Sequence, residues 1–199
     1  MTDFGALYRE HVADVSAMAA DLSDEQLARV VPATPLWTVR QVFCHMAGGA
    51  SDQLANRMDG APSPDWTARH VGERVDRPVA EVIGELRANQ DSVAASLDGN
   101  PFPAAAFDIA VHHADVHEAM GKPRLGDHLW LPVLDAMRPR LDPSLFEAAP
   151  DYEVFRGLFS RRSRAQMQAW GTALSADELD GMTVFGPRED DQPIPAESV

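Results

Sequence analysis

Apolar residues recur at helical steps along most of the chain. Leu7, Val15, Met18 and Leu22, with His11 between them, share one face of a turn-by-turn pattern, which predicts a helix over residues 3–21. Ser23 suits the cap of a short turn through Gln26. The two prolines of VPATPLW then forbid a continuing helix, so a loop is expected over 31–37. Thr38 and Gln41 have the spacing of a capping box and precede Val42, Phe43 and Met46, which predicts a second helix from 39 to about 58. Gly60, Pro62 and Pro64 end it, and a polar connection follows to Arg77.

Pro78 fits the first position of a third helix over 78–97, whose stripe is Val79, Val82, Ile83, Leu86 and Val93. A fourth starts near Pro103 and stops at Gly121, and Asp127 is placed to cap a fifth over 128–138. Residues 151–170 read as a sixth, with Phe155, Leu158, Phe159 and Met167 inward, and the tail after Gly171 is expected to be extended. No stretch alternates for long enough to make a sheet, and no segment repeats. The expectation is an all-α protein in which four main helices form a bundle and the rest pack around it.

Charge narrows the partners. Acids outnumber bases 31 to 17, for a net charge of −14, a balance that repels a phosphate backbone and an anionic membrane surface alike. Neither nucleic acid nor membrane is expected as a partner, while Arg161, Arg162 and Arg164 are close enough in sequence to hold one small anion. Cys44 is the single cysteine, and no apolar run approaches the length of a membrane span. These features predict a soluble protein of the reducing cytoplasm.

The fourth predicted helix carries unusual chemistry. FDIAVHHADVHEAMG sets Asp108, His112, His113, Asp115 and His117 into an alanine-rich, core-like segment. At about 100° per residue, Asp108, His112 and Asp115 fall within about 60° of one another, whereas His113 and His117 share another face. Asp108 and His112, at i and i+4, can aim an oxygen and a nitrogen at one point. His45, in the middle of the second helix beside Val42 and Gly49, is the natural third donor. Three protein ligands with a position left open suit a catalytic divalent metal, zinc first, with nickel, iron or manganese also compatible. A hydrogen-bonded core histidine at 45 and a solvated Asp108/His112 pair are the plainer alternatives. An ionised Asp108 in a dry core would need a cation, however, and no Arg or Lys lies one turn away on its helix. His113 and His117 are expected at a surface or rim, and Cys44, about 100° from His45, is expected to be structural.

TPLWTVRQVFCHMAG, FDIAVHHADVHEAMG and VFRGLFSRRSRAQMQAW together resemble the DinB-like, mycothiol-dependent maleylpyruvate isomerase family of actinobacterial proteins. The resemblance extends over residues 1 to about 188. It implies a DinB-like metal-binding bundle over 1–140, with a C-terminal helical extension and tail over 141–199 packed on it. It also implies a divalent metal held by His45, Asp108 and His112. Asp108 stands where the family often has Glu, and Ser160 where it commonly has Gly. Asp115 falls where the family has an acid that orients ligands, and it is a candidate catalytic group. Arg161 and Arg164 fall in the stretch expected to hold a thiol cofactor or an anionic substrate.

The family resemblance implies chemistry with mycothiol, a low-molecular-weight thiol: S-transfer to, or isomerisation of, a small electrophilic substrate. A metal would lower the pKa of the thiol, so no protein nucleophile is needed. Two other functions remain open from the residues: a non-catalytic metal-stabilised sensor or ligand-binding bundle, and a thiol-independent metal hydrolase with Asp115 or a rim histidine as base. Phe146, Trp66 and Trp130 are apolar candidates for a homodimer seam, or for cover over the core.

Overall fold

The computed structural model describes residues 2–100 and 102–196. It is all-α apart from one small ladder, as the periodicity predicts. The chain divides into two compact units, Met1–Lys122 and Pro123–Val199.

Four long helices build the first unit: α1 (Phe4–Asp21), α3 (Val39–Leu54), α5 (Val79–Ser96) and α6 (Ala104–Ala119). α1 packs on α5, α5 on α3, α3 on α6 and α6 on α1, so the four close a ring. Val12 and Val15 of α1, Val42, Phe43 and Met46 of α3, Val82 and Leu86 of α5, and Ile109 and Val116 of α6 fill it. Burying an aliphatic or aromatic side chain of this size contributes on the order of 1.5–3 kcal/mol. The helices begin where the sequence says. The Asp3 carboxylate accepts from the Ala6 N–H at 2.8 Å. Thr38 and Gln41 form the expected reciprocal box, with the Gln41 side chain accepting from the Thr38 N–H at 2.8 Å.

Short elements fill the connections. α2 (Asp24–Leu27) follows the Ser23 cap. The expected loop at 31–37 is instead an antiparallel ladder of β1 (Val30–Val31) and β2 (Thr34–Thr38), with Val31 opposite Thr34. Its prolines exclude a helix but tolerate an edge, and two residues are too few to show alternation. α3 ends four residues before the expected boundary. Asn56 turns left-handed at φ 53°, and the Arg57 N–H returns to the Asp52 carbonyl at 2.8 Å, closing the helix before Gly60 is reached.

The polar connection contains α4 (Pro64–Gly72), which packs on α3. Ser63 caps it and Pro64 takes its first turn. A carboxylate clamp locks the segment just after it. Glu85 of α5 accepts from Arg74 at 2.7 Å, Ser51 at 2.6 Å and Arg77 at 2.5 Å.

In the second unit, α7 (Asp127–Met137) packs on α9 (Asp151–Leu158), with Trp130 edge-on to Tyr152 at 5.1 Å between ring centres. A single 3-10 turn, Arg138–Arg140, and α8 (Leu145–Ala148) lie between them. The expected sixth helix is broken. Ser160 adopts φ 61°, the left-handed region that suits glycine, and α10 (Arg164–Gln168) restarts from a Ser163/Gln166 capping box. The tail is not wholly extended, since a Ser175/Glu178 box starts α11 (Ala176–Met182). Trp66 and Trp130 are buried and so not available to a dimer seam. Among the described residues, no helix is long and apolar enough to cross a membrane.

Candidate metal centre

Contact between α3 and α6 brings His45, Asp108 and His112 together. One ligand atom from each lies within 4.8 Å of the others. His45 Nε2 is 3.4 Å from Asp108 Oδ1, and His112 Nε2 is 3.7 Å from the same oxygen. Bonds of about 2.0–2.2 Å to a tetrahedral zinc would space its ligands by about 3.3–3.6 Å. The two separations from Asp108 lie close to that spacing, and the third is under 4.8 Å, so the set fits a metal.

The three donors differ in exposure. The His45 and His112 side chains are only 3% and 8% exposed, whereas that of Asp108 is 40% exposed. Asp108 is thus not the dry-core acid that the sequence suggests. The cost of burying charge falls on Asp52 and Asp115, which are fully enclosed and hydrogen-bonded. Solvent reaches the donor set from the carboxylate side. Trp37 packs against both imidazoles, with ring centres 4.9 Å from His45 and 5.8 Å from His112, and Trp66 lies 5.9 Å from His45.

Each imidazole is held by its other nitrogen. His112 Nδ1 lies 3.0 Å from Asp115 Oδ2; the carboxylate can only accept, so Nδ1 carries the proton and Nε2 keeps its lone pair toward Asp108. The same accounting applies to His45 through one more ring. His70 Nε2 is 2.9 Å from Asp52 Oδ2, and His70 Nδ1 is 3.1 Å from His45 Nδ1. With Asp52 accepting from His70 Nε2–H, a neutral His70 offers Nδ1 as acceptor, His45 Nδ1–H donates to it, and His45 Nε2 is free to ligate.

The surrounding electrostatics agree with neutral rings at His70 and His112. Burial pushes His70 below the ordinary histidine value, against the opposing pull of Asp52. Burial also lowers His112, with Asp108 and Asp115 pulling the other way. For Asp52, burial would raise the pKa, but hydrogen bonds from His70 and Arg69 outweigh it and hold the carboxyl below its usual range. Burial, reinforced by the Asp108 charge, raises the Tyr8 phenol well above its usual value, so it stays neutral.

The remaining sequence candidates are engaged by other groups. Asp115 stands behind His112, with no path to solvent. Arg161 is buried, donates to the Phe159 carbonyl at 2.7 Å and lies over the Phe185 ring. Arg164 is engaged by Asp180 at 2.7 Å and by Glu189. Cys44 is buried, and burial raises its thiol to about 11. His113 is not at a rim: it is buried, with Nδ1 3.0 Å from Nδ1 of His11 on α1. Sequence reasoning missed His70 and Asp52. Ser63-Pro64, a cap followed by a first-turn proline, was the signal that α4 existed to carry His70.

Fold and donors define a helical-bundle protein whose core helices present a His–Asp–His set able to hold a divalent ion. The family model described as the DinB superfamily matches residues 7–138, and the chain belongs to that superfamily. No curated protein and no solved structure matches it.

Proposed function

We propose that the protein is a divalent-metal-dependent enzyme that uses a low-molecular-weight thiol, mycothiol, for S-transfer to, or isomerisation of, a small electrophilic substrate. The observation that carries this reading is the convergence of two buried imidazole nitrogens and one solvent-reached carboxylate oxygen on a single point. A closed structural site would enclose all its ligands, and this one leaves the Asp108 side open. The helix-two motif around Trp37 and His45 and the acid-x-x-x-His-x-x-Asp spacing favour the mycothiol-dependent maleylpyruvate isomerase branch.

His45, Asp108 and His112 would hold the metal, with zinc the first choice for a nitrogen-rich set. When bound, the ion supplies a Lewis acid that lowers the pKa of a thiol brought to it. Asp115 keeps the His112 ring in its ligating tautomer. Trp37 and Trp66 wall the imidazole side and limit water there to the carboxylate edge. No protein thiol is a rival nucleophile, because Cys44 is buried and protonated. The neutral Tyr8 phenol near Asp108 leaves the carboxylate as the anionic group of the trio.

Metal analysis of the purified protein tests the first half, with about one divalent ion per chain expected and loss of it in His45→Ala. Calorimetry with mycothiol, followed by turnover on a panel of electrophiles, tests the second. Thiol-independent hydrolysis would replace the thiol reading with a hydrolase. Metal-dependent stability without turnover would leave a metal-stabilised binding bundle.

A further inference from the structure

α3 presents His45, Gly48 and Asp52 along one side, spanning about two turns. Asp52 is roughly 10 Å along the axis from His45, too far for its short side chain to reach the ring. His70, from α4, fills the gap. Its two nitrogens face opposite ways, one 3.1 Å from His45 Nδ1 and the other 2.9 Å from Asp52 Oδ2. The ring lies directly on the α3 backbone at Gly48, where a Cβ would fall 2.4 Å from His70 Cγ. Only glycine leaves that slot. Trp66 closes the ring from the other side at 4.1 Å between centres. Asp52 is in turn fixed by Arg69, and by Arg57 at 3.3 Å from its other oxygen.

We propose that Asp52, His70 and Gly48 form a positioning relay that locks ligand His45 in its metal-binding tautomer and orientation, and thereby sets the affinity of the centre. The inference rests on the metal-centre reading above. His112 is served directly by a carboxylate on its own helix, three residues on. His45 has no such acid on α3, so a second imidazole carries the influence of a buried carboxylate across to it. The device makes the charge on Asp52 felt at His45 Nε2 without placing that charge among the ligands. Arg69 and Arg57 balance the charge at the far end, so a net negative charge is not buried. His70 is a positioning residue: both of its nitrogens are engaged, and neither is directed at the donor set.

The test is metal affinity, measured by competition with a chromogenic chelator using zinc, and by the visible absorption bands of the cobalt-loaded protein. Wild type, His70→Leu, His70→Asn and Gly48→Ala are compared. In His70→Leu, loss of the acceptor frees the His45 ring, and the affinity is expected to fall about 10- to 100-fold, with altered cobalt bands. His70→Asn restores a carbonyl oxygen near the old Nδ1 position and is expected to recover most of that loss. A simple packing defect would not be repaired by a smaller polar side chain. Gly48→Ala leaves every polar group present but ejects the ring from its slot, and is expected to resemble His70→Leu. It also serves if His70→Leu does not fold.

Affinity and cobalt bands unchanged in both His70→Leu and Gly48→Ala, with wild type binding tightly, would overturn the relay and leave the metal centre standing. Equal losses in His70→Leu and His70→Asn would also overturn it. Wild type that takes up neither zinc nor cobalt would remove the metal centre, and the relay with it.

Discussion

Glu85 offers the sharpest quantitative check on how the four-helix unit is held. Its carboxylate is pulled by three donors, Arg74, Ser51 and Arg77, and is 20% exposed. Burial alone would raise its pKa, but these hydrogen bonds outweigh burial and bring it down to about 2 from the unperturbed 4.5. A shift of that size corresponds to about 3 kcal/mol of folding free energy. The sign follows from proton binding: between these two values the unfolded chain takes up a proton that the folded chain refuses. The contribution is therefore complete above about pH 5 and disappears as pH falls toward 2.

Glu85→Gln mimics the protonated state. It should cost about 3 kcal/mol near pH 7, or somewhat less where solvent screens the clamp, and roughly half of that near pH 3. Urea unfolding followed by circular dichroism at a series of pH values measures the difference directly. Wild type and variant running parallel from neutral to acidic pH would refute the reasoning, because the clamp would then contribute nothing that depends on ionisation.

Other side chains make comparable predictions. Asp115→Asn keeps an oxygen for His112 Nδ1–H and should weaken metal binding less than 10-fold, whereas Asp115→Leu should weaken it about 10- to 100-fold by the same competition assay. A large loss of turnover in Asp115→Asn with metal content intact would instead make Asp115 a proton-transfer group. His113, whose pKa burial lowers well below the ordinary value, should make the protein lose stability as pH drops below about 6.5, by up to about 1.4 kcal/mol per pH unit. His113→Phe should flatten that slope, and an unchanged slope in thermal melts across pH 5 to 7 would count against it. Cys44, with its thiol at about 11, should resist iodoacetamide at about pH 8 until urea unfolds the chain. Alkylation at the rate of a free thiol would show that the helix opens locally.

The donor trio was legible because helical spacing is a strong constraint. Asp108 and His112 share a face whatever surrounds them, and Thr38 and Gln41 fix the start of α3 and hence the phase of His45. What the sequence concealed depended on neighbours. His113 looks peripheral because its face borders the apolar stripe of Phe102, Ile109 and Met120, yet α6 packs on both α1 and α3. A helix with two neighbours has little use for a polar side. α4 was hidden by the prolines around it, so its gift of His70 and Trp66 to the centre went unseen. The break before α10 turned on the backbone of one residue, Ser160. Its left-handed angle explains why glycine is expected there, and its hydroxyl donates to the Gly186 carbonyl at 2.8 Å.

The unequal wetting of the three donors governs how an ion would come and go. A competing chelator can approach past Asp108 and begin to share the cation while both imidazoles stay seated in their walls. Stripping should then quicken in proportion to the chelator supplied, with no plateau at the pace of bundle breathing. The loaded state would be replenished from the surrounding pool on the same terms, without any helix having to let go.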